Sequence, residues 1–256
     1  MPGLEVRGLR VAFGAREVLR GVSLAVEPGS FTGLVGESGS GKSLTSLAAL
    51  GLLPRGARVT DGEIRLDGEL LVAPGVDATP PVRGSGIAMI FQSPRAALNP
   101  LLRVGHQIER VLRRQRVPSR ETSRRAVSLL SSVGMQDAKE VARLYPHELS
   151  GGMCQRVLIA MAIANEPRIL LADEPTTALD VTVQAEILDL LDELRRRTGM
   201  GTLLVSHDVS IVSERCSVIS VMKDGCVVES GPTADVVRSP KQEFTAELVR
   251  DLAAAP

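Results

Sequence analysis

The sequence predicts an α/β fold in which an open parallel sheet alternates with helices, and three observations carry that prediction. From residue 31 onward, apolar strand-like runs alternate with helix-like periodicity. A glycine-rich turn, Gly36-Glu37-Ser38-Gly39-Ser40-Gly41-Lys42-Ser43, joins the first of these strands (Phe31 to Val35) to the first helix (Leu44 to Leu53). Polar and ionisable residues then recur just past later strand ends, which is where open α/β sheets bind ligands.

The turn fits the phosphate-binding pattern G-x-x-x-x-G-K-[ST] in its required strand-loop-helix setting. Its glycines let successive N–H groups point at one anion, and the helix starting near Lys42 adds its positive end. In that pattern Lys42 reaches the outer phosphates and the Ser43 hydroxyl coordinates Mg²⁺. A glycine- and serine-rich turn without a ligand would match by chance in roughly one chain per hundred of this length.

Composition narrows the field. At 256 residues and 44% apolar content, the chain can bury a core as one large domain or as a core with an inserted lobe. Lys+Arg and Asp+Glu balance at 30 each, and aromatic residues are only 2%, so neither a charge field nor stacking platforms favour nucleic acid. The 3 cysteines, Cys154, Cys216 and Cys226, are odd in number and lack C-x-x-C spacing, as expected in a reducing compartment. No apolar run approaches the roughly 20 residues of a membrane span, and the N-terminus carries no signal-peptide core. A cytoplasmic chain is expected, with any membrane attachment made through a partner.

Residues 4 to 35 read as short strands: Leu4 to Val6, Leu9 to Phe13, Val22 to Val26 and Phe31 to Val35. Phe13 either lays its ring on an adenine or belongs to the core. The helix after Lys42 is expected to stop at Leu53-Pro54, and a strand follows at Gly62 to Leu66. Residues 73–86, with Pro74, Gly75, Pro80, Pro81, Gly84 and Gly86, read as a surface loop or insertion. Ile87 to Phe91 is a buried strand ending at Gln92, which either reaches a bound metal and its water or is an ordinary loop amide.

Residues 101–165 read as helical, with Val104, Ile108, Val111 and Leu112 on one stripe and Val127, Leu130 and Val133 on another. The arginines between Arg103 and Arg125 fit a solvated helical face near a membrane surface or partner, and His106 and His147 read as surface residues. Leu149-Ser150-Gly151-Gly152-Met153 opens the helix Val157 to Ala164, as a second anion site or as a capped helix start.

Arg168 to Glu174 is an apolar strand ending in two acids, whose burial would cost several kcal/mol each without a cation. Strand alternation is expected to point Asp173 and Glu174 in different directions, one toward Mg²⁺ and the other toward water. A helix carries Val183, Ile187, Leu190, Leu191 and Leu194 on one side, and the strand Thr202 to Val205 ends at Ser206-His207-Asp208. Gln92, the Asp173-Glu174 pair and His207 thus converge on the rim that carries the phosphate loop. A hairpin around Lys223-Asp224-Gly225 and two helices over residues 233–252 close the chain.

In this order the motifs resemble those of the ATP-binding subunits of ABC transporters, and the resemblance covers nearly the whole chain. It implies a P-loop NTPase core of the ABC ATPase type, residues 1–92 and 166–256, with an N-terminal antiparallel β region. Residues 93–165 would be an inserted α-helical subdomain. By resemblance, Gly36 to Ser43 is the Walker A loop, Gln92 the Q-loop glutamine, Leu149 to Met153 the family signature, and Ile169 to Asp173 Walker B. Glu174 resembles the catalytic carboxylate, Ala178 to Asp180 the D-loop, His207 the switch histidine, and Phe13 the adenine-stacking position. The implied cofactors are ATP and Mg²⁺, the metal held through Ser43, Gln92 and Asp173. Lys42, Gln92, Glu174 and His207 would carry catalysis, with Ser150, Gly151, Gly152 and Asp180 offered in trans.

Phe91 to Pro100 and Pro175 to Thr182 resemble the dipeptide, oligopeptide and nickel importer branch. That branch implies a second ATPase subunit, either a paralogue or an identical copy, two integral membrane permease subunits, and indirectly an extracytoplasmic solute-binding protein. No nucleic acid partner is expected, and the location implied is the cytoplasmic face of the inner membrane, as a peripheral subunit. Cys154 departs from the polar residue common in the branch, which is expected to alter the signature-helix surface while leaving Ser150 and Gly152 intact. The sequence also stops soon after Ser239-Pro240-Lys241, without the cysteine-bearing extension of the longer peptide importers and nearer in length to the nickel type. The alternative function is a soluble ABC ATPase in DNA repair or translation. That class usually shows a coiled-coil insertion or two cassettes in one chain, and neither is visible. A non-hydrolysing regulatory cassette is opposed by the intact Lys42, Asp173, Glu174 and His207.

Overall fold

The computed structural model describes residues 3–76, 86–114 and 117–254. Two sheets organise it. Strands β1 (Leu4–Phe13), β2 (Arg16–Val26), β4 (Ala57–Leu66) and β5 (Glu69–Val72) form an antiparallel sheet in the order β2-β1-β4-β5. The central sheet has the order β10-β9-β3-β8-β7-β6, from β3 (Phe31–Val35), β6 (Ile87–Ile90), β7 (Ile169–Asp173), β8 (Gly201–Ser206), β9 (Val218–Lys223) and β10 (Cys226–Pro232). Its members are parallel except β10, which returns antiparallel beside β9.

The parallel strands are apolar on both faces because both faces are covered. Leu34, Leu171, Leu203 and Val205 pack toward the antiparallel sheet, together with Ala48 and Ala49 of α1 (Lys42–Ala49). Their strand neighbours Val35, Leu170, Ala172 and Leu204 pack into a second core with the helices of the other side. These are α2 (Pro94–Ala97), α3 (Val104–Arg114), α4 (Ser119–Ser132), α5 (Ala138–Val141), α6 (Gly151–Ile163), α7 (Val181–Thr198) and α8 (Val209–Arg215), with a 3₁₀ turn at Pro146–Glu148. Helices α9 (Thr233–Arg238) and α10 (Glu243–Ala254) close the described chain.

Local chemistry sets the helix ends that matter. Ser150 caps α6 by accepting from Met153 N at 3.2 Å, and Asp180 caps α7 by accepting from Val183 N at 3.0 Å. Asp208 likewise caps α8, and α7 stops at Gly199 in a left-handed conformation after Arg195, Arg196 and Arg197, whose charge suits a helix C-terminus. The buried Gln107 amide clamps the turn before α3. It accepts from Asn99 N at 2.9 Å and donates to the Asn99 and Leu102 carbonyls at 3.0 and 2.9 Å.

Several expectations are corrected. The short strands read at Leu4 to Val6 and Leu9 to Phe13 are one strand, because Gly8, at φ 57°, takes up a register shift instead of ending it. The strand after the phosphate-loop helix starts at Ala57 and pairs with β1 along its length; it ends at the Asp67-Gly68 turn, as the sequence suggests, but the returning strand β5 was not assigned. Helix α1 ends at Ala49, four residues before the expected end at Leu53. The helical reading of residues 101–165 resolves into separate helices with turns between them. Of the 73–86 segment, Ala73 and Val76 pair with each other, whereas Pro80, Pro81 and Gly84 lie outside the described residues.

Candidate functional site

Register alone aligns one rim of the central sheet. Val35 of β3 lies opposite Ser206 of β8, and Asp173 of β7 lies opposite Val205 of β8. On the far side of β7, Ile90 of β6 pairs with Ala172. The residues that follow, Gly36, His207, Glu174 and Gln92, therefore leave the sheet side by side, and the strand ends read from sequence are brought together.

The phosphate loop is shaped by packing from below. Gly36 has φ 153° and Gly41 φ 106°, and a β-carbon on Gly36 would sit 2.0 Å from the Met222 carbonyl oxygen. One on Gly41 would meet Leu19 at 2.6 Å and Met222 at 2.9 Å, so β2 and the end of β9 press directly on the loop. Gly225 completes the buttress, donating to the Ser40 carbonyl at 3.0 Å and accepting from Arg20 N at 2.8 Å. Glu37, Ser38 and Gly39 face outward and are exposed.

Lys42 is 5% exposed, and its ammonium donates to the Gly36 and Glu37 carbonyl oxygens at 2.7 and 2.8 Å. Burial lowers its pKa, opposed by Glu174 and then Asp173. The Ser43 hydroxyl, in the first turn of α1, donates to Asp173 Oδ1 at 3.0 Å, although β3, the strand that leads into α1, is separated from β7 by β8. Asp173 is 6% exposed, and burial raises its pKa, opposed by the Ser43 hydrogen bond, with Glu174 adding to the rise and Lys42 countering it. Among the described residues the buried Ser40 hydroxyl has no hydrogen-bond partner. A glycine-rich loop at a helix N-terminus with an orphaned hydroxyl, a buried ammonium and a serine-aspartate pair fits a metal-bound polyphosphate.

Glu174 is the hub of the rim. It has left β7 and turned into a left-handed backbone at φ 45°, with its N–H donated to the Val205 carbonyl at 2.9 Å. This corrects the expectation that strand alternation separates it from Asp173: a backbone turn does so. Its carboxylate Oε2 accepts from Gln92 Nε2 at 2.8 Å and from the Thr177 hydroxyl at 2.9 Å, while Oε1 lies 3.2 Å from His207 Nδ1. Thr177 was not singled out from sequence. The available signal was a hydroxyl three residues after an acid within a proline-containing turn.

Ser150 is exposed at the tip of α6, so none of the described residues closes over it. Gly151 and Gly152 pack instead beside Leu179 and Val183, close enough that a β-carbon on Gly152 would lie 2.6 Å from Val183. Asp180 is exposed alongside. Arg95 of α2 donates to the Leu149 carbonyl at 3.4 Å, linking the segment after Gln92 to the start of α6. Phe13 is 36% exposed at the turn end of the β1–β2 hairpin, which excludes the core alternative. Cys154 corrects another expectation: it is fully buried, donating to the Pro146 carbonyl at 3.5 Å, and leaves the helix surface unchanged. His106 and His147 are exposed, the latter stacked on Tyr145 with ring centroids 5.6 Å apart. Among the described residues no helix is long and apolar enough to cross a membrane.

A parallel sheet whose rim joins a glycine-rich phosphate loop to a buried aspartate, a carboxylate and a histidine defines a class, the P-loop nucleoside triphosphatases. The family model described as "ABC transporter" matches residues 19–177. A Brucella melitensis protein described as a peptide import ATP-binding protein is 47% identical over 262 residues, 98% of this chain and 78% of that protein. The oligopeptide transport ATP-binding protein OppD of Lactococcus lactis is 41% identical, over 96% of this chain and 75% of its own length. Among solved structures, cbiO1 of Clostridium perfringens, part of the ABC transporter complex cbiONQ, superposes with a TM-score of 0.80 at 26% identity, covering 99% of this chain and 95% of that one. The dimeric ATP-binding cassette MJ0796, in a post-hydrolysis state with ADP and Pi, gives 0.74 at 30% identity, covering 90% and 98%. The chain belongs to the ABC transporter ATP-binding family, and it is an ATPase.

Proposed function

We propose that this chain is one of two ATPase subunits that pack head to tail and energise an importer of peptides, as the names of its relatives suggest. The observation that carries the reading is the Glu174 cluster set beside the phosphate loop: a carboxylate within hydrogen-bond reach of Gln92, Thr177 and His207, next to the Ser43–Asp173 pair.

In this reading backbone amides of the Gly36 to Ser43 loop bind the phosphates of ATP, with Lys42 exchanging its loop carbonyls for the outer phosphate oxygens. Phe13 stacks on the adenine. Ser43, Asp173 and Gln92 would hold Mg²⁺, which supplies charge neutralisation between the phosphates when bound. Glu174 orients the attacking water and accepts its proton, and His207 donates to the γ-phosphate. Ser150, Gly151, Gly152 and Asp180 complete the site of the companion subunit, which the exposure of Ser150 and Asp180 supports.

Residues 93–165 act as a helical subdomain distinct from the core formed by 1–92 and 166–256. With the Gln92 loop it contacts two membrane permease subunits, so the chain works as a peripheral subunit on the cytoplasmic membrane face. A solute-binding protein outside the membrane selects the cargo; nickel or another metal chelate is the second substrate class. The decisive experiment is Glu174→Gln in the assembled complex. It is expected to retain ATP binding, lose turnover by about 10² to 10⁴-fold, the worth of a general base, and trap a closed dimer. Wild-type turnover in that variant refutes the assignment, and uptake assays of labelled peptides against nickel in a deletion strain decide the cargo.

A further inference from the structure

Glu174 is held by three side chains, and they are not equivalent. Gln92 follows the edge strand β6 and is exposed, and His207 follows β8 with a side chain 60% exposed. Both have a second task at the nucleotide in the proposed function, on which this inference rests. Thr177 has none. It belongs to the same turn as Glu174, with its N–H donated to the Glu174 carbonyl at 3.2 Å and its hydroxyl to Glu174 Oε2 at 2.9 Å. Backbone and side chain of Thr177 therefore both close on one residue, and that residue is held in a left-handed conformation at φ 45° with its own N–H tied to Val205.

We propose that Thr177 is the positioning residue for the Glu174 carboxylate, fixing Oε2 so that Oε1 faces the attacking water when His207 turns to the phosphate. A carboxylate on a freely rotating χ3 would present either oxygen at any angle, because that torsion is broad. A charge-assisted hydrogen bond from a hydroxyl three residues away removes that freedom without occupying the second oxygen. At that oxygen the water O–H bond breaks, its proton goes to Oε1, and the electron pair left on the water oxygen forms the new bond to the γ-phosphorus as the bond from that phosphorus to the β–γ bridging oxygen breaks and its electron pair leaves with ADP. Thr177 touches neither water nor phosphate in this scheme and acts only through Glu174.

The test uses the assembled transporter complex, with steady-state ATPase kinetics on Thr177→Val, which keeps the shape and removes the donor, and Thr177→Ser, which keeps the donor. Thr177→Val is expected to lower kcat about tenfold with KM for ATP within about twofold, and Thr177→Ser to restore kcat to within about twofold of wild type. In a Glu174→Gln background, Thr177→Val should remove no further activity, since the residue acts through the carboxylate. Wild-type kcat in Thr177→Val overturns the inference, as does a Thr177→Ser variant as impaired as Thr177→Val. A fall in melting temperature with a rise in KM alongside the fall in kcat would assign Thr177 to folding of the turn and overturn it equally. If Glu174→Gln keeps full turnover, the proposed function itself fails; if Glu174→Gln is dead while Thr177→Val is unaffected, only the role of Thr177 fails.

Discussion

Gly33 sits in the middle of β3, between Leu204 of β8 and Ile219 of β9, three residues before the phosphate loop begins at Gly36. A β-carbon there would lie 2.0 Å from Val212 Cγ1 of α8 and 3.4 Å from Cys216 Sγ. Carbon atoms in contact prefer about 3.5 to 4.0 Å, so Gly33→Ala forces a displacement of roughly 1.5 to 2 Å. Val212 is fully buried, and a β-branched side chain on a helix has essentially one rotamer, so the movement falls on the helix as a body. Overpacking of this kind costs about 1 to 3 kcal/mol, which lowers the melting temperature of a chain this size by about 2 to 10 °C. The helix that moves begins at Val209, capped by Asp208, the residue after His207. The 3.2 Å approach of His207 to Glu174 is therefore lost as well, and kcat should fall by at least about tenfold while ATP still binds. Thermal denaturation with and without MgATP, together with ATPase assays, measures both effects. The diagnostic variant is Gly33→Ala combined with Val212→Ala, which removes the obstructing methyl groups. The double variant should recover about 1 to 3 kcal/mol relative to the sum of the singles. Strict additivity, or an unchanged melting temperature in Gly33→Ala, refutes the reasoning.

Burial holds the Asp173 carboxyl above its ordinary pKa, so the folded ligand-free protein disfavours the charged form. That contribution weakens the fold as pH rises from the unfolded value through the folded one, and is relieved as pH falls. Asp173→Asn should therefore melt higher than the wild type near neutral pH, with the difference shrinking in acid and the MgATP-induced rise abolished; calorimetry across pH checks the sign. Ligand at one hundred times Kd should stabilise the wild type by about 2.7 kcal/mol, or roughly 5 to 10 °C, and Lys42→Ala should lose most of that shift. Cys216 is buried with its thiol pushed up to about 12, and Cys154 is buried with its thiol also raised, whereas Cys226 is partly exposed. Alkylation at pH 8 followed by peptide mapping should label Cys226 first and reach the other two only in denaturant; early labelling of Cys216 would contradict its burial.

Much of this protein was legible in order because its determinants are local. The phosphate loop declares itself through glycines required by a tight backbone, and apolar runs with a period of two or 3.6 mark strands and helices that bury a face. The helix caps at Ser150, Asp180 and Asp208 are likewise short-range hydrogen bonds, each closing within three residues. Cys154 was misjudged because a helix start shows its cap in the sequence but not which of its faces the rest of the lobe will cover. The long β1 strand was misjudged for a related reason, since Gly8 reads as a break unless the pairing on both sides is known.

What the sequence determined by itself is the inventory: a phosphate loop, acids and a histidine after buried strands, and a helical segment inserted between them. Only the tertiary structure decided their geometry. Strand order sets β8 between the loop strand and the Asp173 strand, and parallel register then aligns their ends on one rim. The left-handed turn at Glu174 and the hydroxyl of Thr177 fix the carboxylate there. Pairing partners in a parallel sheet lie tens of residues apart, so their order is chosen by the burial of both faces at once, a quantity that no local window of sequence contains.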